Sequence, residues 1–367
     1  MKVKFLAIFP SRFPADPAPR LPTLTPQGGN MRKRFLQLVP VLACLALVLL
    51  AVGLAYATFP GTNGRISFAR FFPDTNSLSI FSVRPNGSGE QQLTFDAPNH
   101  ASLFSDWSPD GSRIAFDSDR FNNGTDDIVD IFTMKADGSD IIQLTSHAGF
   151  NGEPEYSRDG NTIVFESDRG TGQEGIYLMN ASDGTIVRRV TVTPAHFADV
   201  SPHFSSPTGS RIVFTRANFC RPNRVGEGGC LAAVFLVNAD GSGLKRITPW
   251  GLDTLATDWS PDGSKLVLES RMDTTLGSKV DVLVVNVDGS NLVNLTNNPP
   301  LTTVPCSTSK FATFSPDGTK LVFGHTNCTG HPTLWIMNAD GSGKQDTGIP
   351  LGPGNPEGFA DWGTNQD

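Results

Sequence analysis

Asp106-Trp107-Ser108-Pro109-Asp110-Gly111-Ser112-Arg113-Ile114-Ala115-Phe116 reads DWSPDGSRIAF, and nearly the same letters return as DWSPDGSKLVL from Asp258 and TFSPDGTKLVF from Thr313. Weaker copies of the turn stand between them, as Ser157-Arg158-Asp159-Gly160 and Ser206-Pro207-Thr208-Gly209. The prolines, with Arg158 in the place of one, are 49, 49, 54 and 55 residues apart. A period of that size marks a repeat architecture. Proline at the second turn position presets φ, aspartate tolerates the third, and glycine takes the left-handed fourth without a Cβ clash. Each copy therefore predicts a tight hairpin between two short strands.

Outward from the turn, the next strand reads Arg113–Phe116, Thr162–Phe165, Arg211–Phe214, Lys265–Leu268 and Lys320–Phe323, with an earlier copy at Arg65–Phe68. A second apolar run follows in every repeat: Leu78–Val83, Ile131–Met134, Ile176–Met179, Val234–Val237, Val282–Val285 and Leu334–Met337. Another glycine turn comes next, as in Asp137-Gly138-Ser139 and Asp240-Gly241-Ser242. A short strand ending in threonine closes the unit, as in Gln92-Leu93-Thr94 and Arg246-Ile247-Thr248, and decays to Gln345-Asp346-Thr347 in the last repeat. Each unit thus holds four strands, here a to d, and cannot bury both faces alone. Radial stacking of six such units into an all-β, six-bladed propeller of four-stranded antiparallel blades does so. The first repeat lacks strand a, while Phe359-Ala360-Asp361-Trp362-Gly363 matches strand a with nothing after it. The C-terminal strand is expected to complete the first blade and close the ring.

The chain has 367 residues, 38% hydrophobic and 18% charged, with 37 Gly and 27 Pro. That balance suits many short strands joined by turns. Residues 1–30 are proline-rich without periodicity, and either disorder or a misassigned upstream start is expected there. Met31-Arg32-Lys33-Arg34 precedes an apolar run from Val41 to Ala57 that ends in Ala55-Tyr56-Ala57. This is the pattern of a secretory signal over 31–57, cleaved after Ala57 or retained as a membrane anchor. Residues 58–367 are then the propeller, placed outside the cytoplasm. The first 57 residues hold seven of the 29 basic and one of the 36 acidic residues, leaving 22 against 35, a net charge of −13. Such a charge excludes nucleic acid and anionic membrane surfaces as partners. Cys220, Cys230, Cys306 and Cys328 remain beyond the signal. Their even number in an exported chain suggests two disulfides, expected as 220–230 and 306–328 among three possible connectivities.

With these residues in view, the repeats resemble the TolB-like propellers. Their blade pattern is an aromatic, then Ser-Pro-Asp-Gly, a Phe-ending strand, an Ile-Tyr-type strand, Asp-Gly-Ser and Leu-Thr. Here the aromatics are Trp107, Tyr156, Phe204, Trp259, Phe314 and Trp362, and the likeness covers residues 59–363. The resemblance implies a six-bladed extracytoplasmic propeller with a general binding role. TolB itself carries an α/β domain before its propeller, whereas here the apolar leader runs directly into the first repeat, so the envelope role does not transfer.

Several motifs resolve to plain readings. Gly170-Thr171-Gly172-Gln173-Glu174-Gly175 matches a dinucleotide fingerprint but bridges two strands, so a hairpin loop is expected. Neither a G-x-S-x-G elbow nor an H-E-x-x-H motif occurs. Ser118-Asp119-Arg120 and Ser167-Asp168-Arg169 end strand b, facing Asp130 and Glu174 before strand c, and read as cross-hairpin ion pairs. His100, His147 and His196 fall in connectors and read as solvated loop residues rather than metal ligands. The candidate binding residues form a ring, one ahead of each strand-a aromatic: Asp106, Glu155, His203, Asp258, Thr313 and Asp361. Four acids around one axis would attract a cation or a basic peptide; the plainer reading has them capping neighbouring backbone amides. No cofactor, resident metal or catalytic residue is expected. The functional expectation is a monomeric, non-enzymatic binding scaffold that meets a protein, peptide or glycan through its loop face. A hydrolase or lyase acting at the channel mouth is the alternative.

Overall fold

The computed structural model describes residues 61–365 apart from 122–127, 147–148, 206–208, 219–230, 275–276, 299–307, 327–330 and 354–357. The leader and all four cysteines beyond it lie outside the described residues.

Blade 1 takes β1 (Asn63–Phe72), β2 (Ser77–Val83) and β3 (Gln91–Gln92). Blade 2 is β4 (Ser102–Trp107), β5 (Arg113–Ser118), β6 (Asp130–Lys135) and β7 (Ile142–Gln143). Blade 3 is β8 (Asn151–Tyr156), β9 (Thr162–Ser167), β10 (Gly175–Asn180) and β11 (Ile186–Arg189). Blade 4 is β12 (Ala198–Phe204), β13 (Arg211–Asn218), β14 (Leu231–Asn238) and β15 (Lys245–Arg246). Blade 5 is β16 (Thr254–Trp259), β17 (Lys265–Thr274), β18 (Gly277–Asn286) and β19 (Val293–Asn294). Blade 6 is β20 (Thr308–Phe314), β21 (Lys320–Thr326), β22 (Pro332–Asn338) and β23 (Gln345–Pro350), and the tail adds β24 (Asp361–Thr364).

The tail strand does what the repeat count demands. β24 pairs antiparallel with β1, matching Ile66 with Trp362 and Ser67 with Asp361, so blade 1 runs β24-β1-β2-β3. The inner strands β4, β8, β12, β16, β20 and β24 touch in a closed cycle, β24 meeting both β20 and β4. The protein is a six-bladed β-propeller. A single parallel bridge from β18 to β20 joins blades 5 and 6, and like bridges link Leu78 with Ala101 and Val129 with Phe150.

Packing explains why strands b and c read as continuous apolar runs rather than alternating ones. Each blade is covered on both faces. Phe214 packs with Val164, Ile176 and Leu178 of blade 3, while its neighbour Val213 packs with Trp259, Leu266 and Leu268 of blade 5. Phe68, Phe116, Phe165, Phe214 and Phe323 are fully buried and meet a strand-c ring 5.6–6.4 Å away, as in Phe116–Phe132 and Phe323–Trp335. Full burial of such a side chain contributes about 1.5–3 kcal/mol.

The polar letters of the repeat have local duties. Gly111 sits at φ 64° and donates its N–H to the Ser108 carbonyl at 2.8 Å. Asp110 accepts from the Ser108 hydroxyl at 2.6 Å and from the Ser112 N–H at 3.0 Å. In the Asp-Gly-Ser turn, Gly138 has φ 86°, and a Cβ there would come within 2.7 Å of the Leu93 carbonyl of the preceding blade. The strand-d threonine accepts a strand-c amide in five blades, from Ile80 to Thr94 and likewise at Thr145, Thr191, Thr248 and Thr296, each at 2.9–3.1 Å. The last repeat differs: Thr347 donates to the Leu334 carbonyl, and its outer strand β23 runs over six residues.

Candidate functional site

Strand a carries one more residue than its partner in blades 2 to 6. The register shifts between Leu103 and Asp106, Gly152 and Glu155, Val200 and His203, Ala256 and Asp258, and Lys310 and Thr313. Such bulges re-aim a side chain. In blades 2, 3, 4 and 6 left-handed backbone stands two residues ahead of the ring, at Phe104 (φ 44°), Glu153 (49°), Ser201 (50°) and Phe311 (48°), and Phe359 (39°) repeats it ahead of Asp361 in blade 1. The ring positions Asp106, Glu155, His203, Asp258, Thr313 and Asp361 then line one axial cavity of about 110 Å³, room for several waters.

The structure brings the whole predicted ring together and gives each of its four acids a backbone duty. Asp361 accepts the N–H of Trp107 at 2.9 Å, Asp106 that of Tyr156 at 2.7 Å, Glu155 that of Phe204 at 3.0 Å and Asp258 that of Phe314 at 2.8 Å. Each bond runs from one blade to the next, so the ring is a clasp as well as a lining. Asp258 also accepts from the Thr313 hydroxyl at 2.8 Å and its own neighbour's N–H, that of Trp259, at 2.6 Å. His203 Nδ1 lies 2.6 Å from Glu155 Oε2. Among the described residues, no three His, Cys, Asp or Glu side chains gather as a metal ion requires.

A second tier was not foreseen. The residue after the large apolar residue of strand b (Phe116, Phe165, Phe214 or Leu268) accepts the bulge amide of the next blade. Asp117 takes the Glu153 N–H at 3.0 Å, Glu166 that of Ser201 at 2.8 Å, the Thr215 hydroxyl that of Ala256 at 2.9 Å and Glu269 that of Phe311 at 3.3 Å. The signal was present in the letters Phe116-Asp117, Phe165-Glu166 and Leu268-Glu269, an acid recurring at one place in the repeat. On the same wall Phe104, Phe311 and Phe359 from blades 2, 6 and 1 form an aromatic cluster, with ring centroids 4.2, 4.7 and 5.9 Å apart.

Burial and like charge act in one direction on these acids. Burial, then Asp361 and Glu155, raise the Asp106 carboxyl well above its ordinary value. Burial raises Asp258 to about 7, with Glu155 adding to it, and Asp361 to about 6. In the second tier, burial lifts Asp117 to about 7 and raises Glu166 strongly, aided by Glu153 and Glu174. Burial opposes charge on His203, but Glu155 beside it prevails and the imidazole is raised.

The remaining sequence candidates fall elsewhere. The expected Arg120–Asp130 pair is corrected: Arg120 reaches Asp96 at 3.4 Å and Ser102 at 2.9 Å, and lies over Phe116 and Phe132. The flat guanidinium covers the aromatic pair while staying within reach of an acid in the β3–β4 connector. Asp119 and Asp168 instead accept the Ala101 and Phe150 amides, at 2.7 and 3.0 Å, tying strand a to strand b in their own blades. His100 is half-buried beside Asp119 at 3.3 Å, His196 is exposed, and His147 lies outside the described residues. The Gly170–Gly175 stretch is the turn between β9 and β10, as expected.

A closed ring of six four-stranded blades around an acid-lined axis defines a six-bladed β-propeller. Comparison with known proteins places it more closely. Residues 61–227 match PD40, the TolB beta propeller domain, and the six-bladed ring is similar to the TolB-like propellers. It is 30% identical over 193 residues to the uncharacterized protein Atu1656 of Agrobacterium fabrum, covering 51% of this chain and 60% of that one. It is 29% identical over 161 residues to a TolB homolog of Chlorobium luteolum, covering 44% and 32%. The matches thus span less than two thirds of these relatives' own lengths. Among solved structures, TolB from Acinetobacter baumannii superposes with TM-score 0.61 at 21% identity, over 82% of this chain and 67% of that one. A putative TolB from Agrobacterium tumefaciens gives TM-score 0.55 at 18% identity, over 82% and 98%. These superpositions show the shared fold.

Proposed function

We propose that this propeller is an exported, non-enzymatic binding scaffold whose axial cavity receives a basic segment of a protein or peptide partner. The observation that carries the reading is the set Asp106, Glu155, Asp258 and Asp361 on one cavity wall, beside the cluster of Phe104, Phe311 and Phe359. Carboxylates in a partly enclosed space attract positive charge, and aromatic faces add to that attraction. The net charge of −13 beyond residue 57, from 22 basic and 35 acidic residues, steers the same kind of partner from a distance.

The test uses a lysine-rich hexapeptide with a fluorescent label, and an acidic peptide of equal length as control. Binding of the basic peptide is expected, weakening as salt rises, and falling about tenfold in the double variant Glu155→Gln with Asp258→Asn, which equals about 1.4 kcal/mol. Equal binding of both peptides, or an unchanged affinity in that variant, overturns the reading. Export is checked by N-terminal sequencing of the protein recovered outside the cytoplasm, where Thr58 is the expected first residue.

A further inference from the structure

We propose that the ring around the axial cavity is a proton-operated clasp, in which a proton held on Asp106 keeps blades 1 to 3 drawn together and its release loosens their seam. The hydrogen-bond inventory of the ring assigns that proton. Asp258 receives three donors, from Trp259, Phe314 and Thr313, and Glu155 receives two, from Phe204 and the His203 ring. In both, donors reach both carboxyl oxygens and offset negative charge there. Asp361 accepts from Trp107, and the Thr313 hydroxyl lies 3.5 Å from its Oδ1. Asp106 accepts from Tyr156 on Oδ2, with no protein donor to Oδ1 among the described residues. With one donor against three for Asp258 and two for Glu155, Asp106 is the least compensated of these acids and takes the proton first.

The groups around Asp106 agree. Asp361 of β24 and Glu155 of β8 stand on either side, Asp258 of β16 lies farther round the ring, and each adds repulsion to a charged Asp106. Glu153 of β8 adds another acid to the cavity wall, and Asp117 of β5 lies on the strand paired with β4. His203 of β12 and Arg158 are the cationic side chains on that wall. His203 is held by Glu155, and Arg113 of β5 lies by the Tyr156 hydroxyl. The Asp106 side chain stands between two seams, because Trp107 behind it is clasped by Asp361 while Asp106 itself clasps Tyr156 ahead. A full negative charge there sets blade 1 against blades 2 and 3 at the axis. The inference stands apart from the identity of any partner.

The sign follows from linkage. A carboxyl whose folded pKa is raised holds its proton in the native state after the unfolded chain has lost it, so stability declines as pH climbs from about 4, the ordinary carboxyl range, through the raised value. Melting of the wild-type protein is followed at pH 5, 6, 7 and 8, together with Asp106→Asn. Asparagine keeps an acceptor for the Tyr156 amide and carries no charge at any pH. The wild type is expected to melt about 4 °C lower at pH 8 than at pH 5. D106N is expected to flatten that slope in part, the remainder belonging to the other raised acids Asp117, Glu166, Asp258 and Asp361, and to melt at or above the wild type at pH 8. A wild-type midpoint that is flat or rises over this range, or a D106N protein that keeps the full slope, overturns the proposal. If D106N does not fold, Asp361→Asn removes a flanking charge while retaining an acceptor. It should flatten the slope in part, and an unchanged slope there overturns the clasp equally.

Discussion

Asp106 and Asp110 stand four residues apart in one motif and behave as opposites. Asp110 lies on the turn face. Burial works against its charge, but hydrogen bonds from Ser108 and Ser112 outweigh it and hold the carboxyl below its usual range. Asp106 faces the axis, where burial and neighbouring acids raise it. The same contrast repeats around the molecule, between turn aspartates such as Asp137, Asp240 and Asp288 and the axial Asp258 and Asp361. Residue type does not decide ionisation here; the number of donors aimed at the carboxylate against the number of other acids around it does. The two sets also act in different pH ranges. Lowered turn carboxyls support the fold above about pH 4 and lose that support on further acidification, whereas raised axial ones favour the fold at low pH and oppose it as pH climbs toward 7.

The sharpest way to break this contrast is Asp258→Ala. It leaves the Trp259 and Phe314 amides and the Thr313 hydroxyl without their acceptor, and urea unfolding is expected to show a loss of about 3 kcal/mol. Asp110→Ala removes an exposed acceptor that water replaces in part, so the same measurement should fall by about 1 kcal/mol, with no change in slope between pH 5 and 8. Below pH 4 the wild type should lose stability again as the turn carboxyls take up protons, giving a maximum near pH 5 in a plot of melting temperature. Glu174→Gln should have the smallest effect. Burial, then Asp168, raise that acid, so removing its charge should change stability at pH 8 by about 0.5 kcal/mol or less, and upward.

Much of this was legible in the letters. The turn chemistry, the four strands per unit and the missing first strand a together fix the blade count and the closure by Trp362. The ring was legible too, because its members precede a recurring aromatic. What the ring holds was not, since each cross-blade partner lies 49 to 56 residues away, or 254 for Asp361 and Trp107, and no local pattern records it. The second tier was legible in principle: Asp117, Glu166 and Glu269 follow Phe116, Phe165 and Leu268 at one fixed place in the repeat, but the adjacent Ser-Asp-Arg letters are the more conspicuous. The aromatic cluster was hidden by the bulges. Phe104, Phe311 and Phe359 sit two residues ahead of the ring, and regular alternation would not single them out.

The join between β24 and β1 has a consequence for assembly. Phe359 and Asp361 reach the axis on the final strand. A chain emerging from the ribosome holds five finished blades and a partial one before this segment appears, with one flank of Trp107 still waiting for its partner. The central pocket therefore comes into being in a single late event. Contacts between segments so far apart in the chain form slowly, so any partner that needs both the aromatic cluster and the complete set of acids is offered nothing until Phe359 and Asp361 are in place.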